Sequence, residues 1–209
     1  IKAETGRHEL EGAVHKIIFP LRSTSDEVPY EEQNLWIIDE RLAYHFYLAS
    51  DRSLASVPHT ESNSTKRPDI LIFNHPFAFA EGDAPYRAII IVEFKRPARD
   101  DYDDDENPVS QVLDYVRELR SGEISSREGR PLNVRSEIPI YCYIVCDITK
   151  KLTRQVENVD LKSASDGMGF FGYNSKLGTY IEVISFDKLL IDAEKRNRIL
   201  FEKLGLPKP

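Results

Sequence analysis

Cysteine is almost missing from this chain: Cys142 and Cys146 are the only two among 209 residues. That excludes the disulfide framework by which small secreted domains are held together. Both fall in a strand-like run over residues 140–146, and no further pair of ligands at zinc spacing accompanies them. They read as core thiols of a reducing compartment, so a cytoplasmic protein is expected. Long hydrophobic runs are also lacking. No apolar stretch approaches the ~20 residues that a membrane-spanning helix needs, and no membrane partner is expected. The first residues show no basic segment followed by an apolar one, the pattern of a signal peptide. The chain begins with Ile1 and not with Met, from which we expect a domain of a longer protein whose other domains are its partners. An excess of basic charge is absent as well. Lys and Arg number 28 against 35 Asp and Glu, for a net charge of −7. This argues against a protein that grips nucleic acid by a broad basic face. It leaves room for a local basic groove and for a metal site, which needs carboxylates. Much of the excess comes from Asp100, Asp101, Asp103, Asp104, Asp105 and Glu106, a run that reads as a solvated loop.

Apolar residues make up 41% and charged residues 30%, the balance of a soluble globular protein with one sizeable core. The chain is organised around residues 88–97. Ile89, Ile90, Ile91 and Val92 form an unbroken apolar run, which predicts a strand covered on both faces. Glu93 and Lys95 follow, pointing to one face with Phe94 on the other, because side chains alternate along a strand. Charges at the mouth of a buried strand are costly unless they pair or bind something. A second short apolar strand over residues 70–74 is preceded by Arg67-Pro68-Asp69. If the two strands are neighbours, Asp69, Glu93 and Lys95 converge.

Pro68-Asp69 followed 24 residues later by Glu93-Phe94-Lys95 resembles the signature of the PD-(D/E)xK nuclease superfamily. A chain with ordinary charge content holds such a triplet by chance, and Asp160-Leu161-Lys162 is an internal control. That one follows a polar segment and has no Pro-Asp strand before it. Downstream, Asn107 and Pro108 read as the cap and first turn of a helix. Along it Gln111, Tyr115 and Leu119 fall on one face. This spacing resembles the helix after the catalytic strand in RecB-type nucleases of the same superfamily. The alternative is a packing helix with Gln111 at its rim.

The resemblance implies an α/β fold with a restriction-endonuclease-like core in the order αβββαβ, a central mixed sheet flanked by helices. That core would occupy residues 1–150. Residues 151–209 would be a C-terminal extension of strands and a terminal helix packed on the same domain. It implies phosphodiester hydrolysis with Mg²⁺, for which Mn²⁺ commonly substitutes. Asp69, Glu93 and the Phe94 backbone carbonyl would hold the metal. Lys95 would position or deprotonate water, or stabilise the charge at phosphorus. Gln111 and Tyr115 would support the site or touch the substrate backbone. Members often bring a further glutamate from the first helix. Glu11 is chosen here and Glu9 is the alternative; either has a solvated helix flank as its competing role. The expected partner is nucleic acid, DNA ahead of RNA, with a homodimer as the arrangement that lets two sites cut two strands. Kinship with nuclease domains fused to ATPase or sensor modules in bacterial phage-defence systems is suspected. The rival is a catalytically silent module of the same fold that binds nucleic acid or protein.

The rest of the chain is read from pattern. Residues 7–19 predict an amphipathic helix ended by Pro20, with Leu10, Val14, Ile17 and Ile18 in its stripe and His15 one turn beyond Glu11. Residues 22–32 read as a loop. Residues 34–48 are dense in aromatic and apolar groups, and helix competes with strand there; a strand over 41–48 after a short helix is the expectation. Tyr44, His45 and Tyr47 are expected to pack, with a nucleic-acid groove as the alternative. Residues 51–66 read as a mobile loop. His75 lacks the companions that a histidine-metal nuclease needs. Residues 78–87 read as a hairpin-like connection. Residues 121–137 read as a long connection made basic by Arg127, Arg130 and Arg135. Strands are expected at 138–148 and 179–184, helices at 152–159 and 186–204, and a glycine-punctuated turn into a strand at 167–173.

Overall fold

The computed structural model describes residues 11–58, 60, 62–74, 88–102, 107–121, 124–125, 131–132 and 138–205. Helix α1 (Glu11–Ile18) opens the described chain and ends where Asn34 meets it. The Asn34 backbone N–H donates to the Ile18 carbonyl at 2.9 Å and its side-chain amide to that of Ile17 at 2.9 Å, satisfying carbonyls that a helix end leaves orphaned. The buried side of α1 is His15 and Ile18, whereas Ile17 is 44% exposed, so the expected apolar stripe is rotated towards the histidine.

Between α1 and the first strand the chain makes three short 3₁₀ turns, Tyr30–Glu32, Leu35–Ile37 and Glu40–Ala43. The expected strand over 41–48 shrinks to β1 (Tyr47–Ser50). Leu35, Ile38 and Leu42 are nevertheless buried, so the apolar density of this stretch serves packing without a long regular element. Tyr47 packs as expected and His45 is half-buried, but Tyr44 is 68% exposed and does not pack. The 51–66 stretch is tied down, with Leu54 and Val57 in the core and Leu54 N–H donating to the Lys66 carbonyl.

Strands β2 (Ile70–Asn74) and β3 (Ala88–Phe94) follow, then helix α2 (Pro108–Ser121), the two-residue strands β4 (Ile124–Ser125) and β5 (Pro131–Leu132), and β6 (Ile140–Val145). Helix α3 (Lys150–Glu157), β7 (Lys162–Ser163), β8 (Gly169–Asn174), β9 (Thr179–Ile184) and α4 (Phe186–Leu204) complete the described chain. Seven strands form one mixed sheet in the order β1-β2-β3-β6-β9-β8-β7. β3, β6 and β9 are mutually parallel and lie at its centre, and the flanking pairs are antiparallel. The connection from β3 to β6 includes α2, as a parallel pair requires a crossover. Among the described residues β4 and β5 pair only with each other.

Alternation along β3 divides the core. Ile89 and Ile91 join a cluster with Val112, Val116 and Leu119 of α2 and Leu152 and Val156 of α3. Ile90, Val92 and Phe94 face the other way, towards Ile18, Leu35, Leu42 and Leu189 of α4. Covering both faces explains why β3 has no polar residue before Glu93. Cys142 and Cys146 are buried free thiols, each pushed up to about 12 by burial. At the far end of α2, Arg120 donates to the carbonyls of Ile138, Leu177 and Gly178 at 2.9–3.2 Å. Among the described residues no helix is long and apolar enough to cross a membrane.

Candidate active site

The β2–β3 register pairs Ile70 with Val92, so Asp69, one step before β2, stands opposite Glu93. Both sit on the face that α2 covers, at the carboxyl end of β3. In open α/β sheets ligands gather beyond the carboxyl ends of parallel strands. The chain leaves β3 through Lys95, whose backbone N–H donates to the Val145 carbonyl at 2.9 Å. Pro97 follows and cannot continue a ladder.

Glu93 is 2% exposed and Lys95 4%. The Lys95 ammonium donates to Glu93 Oε1 at 2.8 Å and to Gln111 Oε1 at 2.8 Å. Gln111 in turn donates through Nε2 to the Tyr115 hydroxyl at 2.6 Å, and that hydroxyl donates to the Arg67 carbonyl at 3.1 Å. Positions 111 and 115 lie one helical turn apart on α2, which is why the relay forms. It ties the helix to the backbone two residues before Asp69. Leu119, the third member of the spacing, packs into the core.

Asp69 is fixed from two sides. Its Oδ2 accepts the Phe94 backbone N–H at 2.7 Å, and its Oδ1 lies 3.5 Å from Nδ1 of His15. Phe94 puts its ring on the opposite face of the sheet, 5.3 Å from the His15 ring. Glu11 reaches the same place from the first turn of α1. The three carboxylates of Glu11, Asp69 and Glu93 each offer an oxygen, and these oxygens lie within 4.8 Å of one another. Glu9, the other glutamate considered for this role, lies outside the described residues.

Crowding three acids together changes their acidity. Burial raises the Glu93 carboxyl well above its ordinary range, the Asp69 charge adds to the rise, and the Lys95 ammonium opposes it. Burial and the same Asp69 charge raise Glu11. Tyr115 is raised too, chiefly by burial and then by Glu93. With all groups ionised, three carboxylates face one ammonium, leaving an excess of two negative charges. Among the described residues, the buried Oε2 of Glu93 has no hydrogen-bond partner. A donor set made only of oxygens, an unpartnered buried carboxylate oxygen and that charge excess together fit a hard divalent cation such as Mg²⁺.

Glu11, Asp69, Glu93, Lys95 and Gln111 line a cleft of about 470 Å³ together with Arg67, Arg99, Ser110 and Asp114. All six side chains or residues expected at the site, Glu11, Asp69, Glu93, Lys95, Gln111 and Tyr115, therefore meet or connect here. No family model, curated protein or solved structure matches the chain. The site is thus read from its own geometry. The control triplet behaves differently: Asp160 and Lys162 pair with each other in solvent, with side chains 88% and 70% exposed. Arg127, Arg130, Arg135, His75 and the 78–87 connection lie outside the described residues, as do Asp103, Asp104, Asp105 and Glu106.

Sequence reasoning missed three contributors. Arg67 adjoins the Pro68-Asp69 pair, so its place at the rim could have been read from adjacency. Arg99 is the second cation after the Glu93 triplet, behind Arg96, and nothing local in the sequence says which of the two lines the cleft. His15 shares the flank of Glu11 but hides its role, because its two partners, Ser50 and Asp69, are distant in sequence.

Proposed function

We propose that this chain is a Mg²⁺-dependent nuclease of the PD-(D/E)xK type, with a restriction-endonuclease-like core, hydrolysing phosphodiester bonds in DNA. The observation that carries the reading is the meeting of Glu11, Asp69 and Glu93 within 4.8 Å beside a buried lysine. Those carboxylates, with the Phe94 carbonyl, are the ligands assigned to the metal. A bound Mg²⁺ supplies positive charge to the attacked phosphate and acidifies water. Lys95 is held on Glu93 and Gln111 in the lining of the cleft, where it orients the nucleophile or offsets charge gathering at phosphorus. Gln111 and Tyr115 keep that ammonium in one place. Arg67 and Arg99 at the cleft wall are suited to the phosphates on either side.

A purely structural Glu93–Lys95 ion pair explains the charge match of two residues but not the two further carboxylates beside it. Burying extra acids without a cation is costly. The net charge of −7 favours a second reading, a silent module of this fold whose partner is another protein. Incubation with supercoiled plasmid separates the two. Nicking in Mg²⁺ that stops in EDTA, and is lost in Lys95→Ala, supports the nuclease; an inert wild-type protein in both Mg²⁺ and Mn²⁺ refutes it.

A further inference from the structure

His15 is 1% exposed, an unusual address for an imidazole on the first helix. From α1 it touches both the sheet, at Ser50, and the site, at Asp69. Its Nε2 lies 2.8 Å from the Ser50 hydroxyl of β1, and its Nδ1 faces Asp69 Oδ1 at 3.5 Å. It stands outside the set of oxygens that converge on one point, which comprises Glu11, Asp69 and Glu93. We infer that His15 is a positioning residue that sets the carboxylate plane of Asp69 without itself holding the metal. This rests on the nuclease reading only for its catalytic consequence.

The hydrogen-bond arithmetic assigns the tautomer. An ionised Asp69 only accepts, so the proton facing it belongs to Nδ1. In a neutral ring Nε2 then accepts, and the Ser50 hydroxyl donates to it. Ser50 is 0% exposed, so this bond is shielded from water. The ring is braced from below by Phe94, whose own N–H holds the other oxygen of the same aspartate. Asp69 thus accepts a hydrogen bond from β3 on one oxygen and meets the His15 ring nitrogen of α1 at 3.5 Å on the other. Its oxygens are held while one of them stays within 4.8 Å of the Glu11 and Glu93 carboxylates. Outer partners of ligating carboxylates matter to metal affinity at a level of roughly tenfold to a hundredfold.

Two substitutions divide the histidine's contacts. In His15→Asn the amide N–H stands near the place of Nδ1 and keeps the Asp69 contact while losing Ser50. In His15→Gln the longer side chain reaches towards Ser50 and loses Asp69. Titration of the whole chain with Mn²⁺ alone, followed by electron paramagnetic resonance, reads the result. His15→Gln is expected to bind about tenfold more weakly than His15→Asn. Equal affinities in the two variants overturn the inference, since a packing role does not distinguish them. A second measurement needs no metal: the ¹⁵N resonance of His15 Nδ1 should carry the proton and should move in Asp69→Asn. A proton on Nε2 with none on Nδ1, or no response to Asp69→Asn, also overturns it. If the wild-type protein binds no Mn²⁺ while the nitrogen signal answers to Asp69→Asn, the nuclease reading fails and the placement of Asp69 by His15 stands.

Discussion

Replacing Lys95 by Met removes a charge and keeps the length of the side chain, so packing changes little. The ammonium it removes is 2.8 Å from Glu93 Oε1, in a place where both side chains are at most 5% exposed. Breaking one partner out of a buried pair costs about 3–5 kcal/mol when the other stays charged. For a chain of this size each kcal/mol moves the melting temperature by roughly 2–4 °C, so a loss of about 10 °C is expected at alkaline pH, above the range to which burial raises the Glu93 carboxyl. The loss shrinks at pH 7 and below, because Glu93, freed of the opposing Lys95 charge, escapes the penalty by taking up a proton. Excess negative charge in the cluster rises from two to three, so divalent metal should bind at least as well and restore much of the melting temperature. Cleavage should still fall by about 100-fold or more, the scale for losing a group that moves a proton or offsets transition-state charge. Thermal melts with and without Mg²⁺ and a plasmid-nicking assay on the same samples give all three readings. A Lys95→Met protein that nicks at the wild-type rate refutes the assignment of Lys95, whatever its melting temperature.

The acid cluster also fixes a pH dependence. Glu93 and Glu11 have carboxyls raised above the ordinary 4.5, so the folded chain keeps protons that the unfolded chain has released. Their contribution to stability is full below about pH 4.5 and is lost as pH rises through the raised folded values. In EDTA the melting temperature should therefore decline from pH 5 to pH 8; Glu93→Gln should flatten the decline, and an unchanged slope counts against the raised acidity. Tyr115→Phe removes the hydroxyl shared by Gln111 and the Arg67 carbonyl, and should cost about 1–2 kcal/mol in urea unfolding with a loss of nicking that exceeds the loss of fold. Equal nicking by Tyr115→Phe and wild type sinks the relay. Gly169→Ala would set a methyl group 2.4 Å from the Val183 carbonyl oxygen, and should destabilise the β8–β9 pair by about 1–3 kcal/mol, measured in urea, with Mn²⁺ affinity unaltered.

Much of the site was legible because its residues announce themselves locally. Glu93 and Lys95 interrupt an apolar strand, and the spacing of Gln111 and Tyr115 places both on one face of a helix. The helix 186–204 and the strand 179–184 have their observed limits because polar and glycine-bearing turns bound a clear period. The 34–48 stretch resisted, since its apolar residues serve 3₁₀ turns that carry no long period. Sheet order was not readable either: which strand lies beside β6 depends on the crossovers, and β9 takes that place ahead of β8. Glu11 was selected over its neighbour by its nearness to the helix stripe, but its arrival beside Asp69 depends on how α1 lies across the sheet. His15 shows the limit most plainly. A histidine among apolar residues carries no mark that says which distant groups it will meet.

Helix α2 is clamped lengthwise. Gln111 and Tyr115 moor its first turns to the cleft, and Arg120 moors its last turn to three carbonyls where neighbouring strands begin or turn. About 14 Å of helix separates the two moorings. A beam fixed at one end can rock, and the free tip travels farthest; fixed at both, it hardly moves. The grip of Arg120 on the opposite rim of the sheet is thus part of what keeps the amine of Lys95 still.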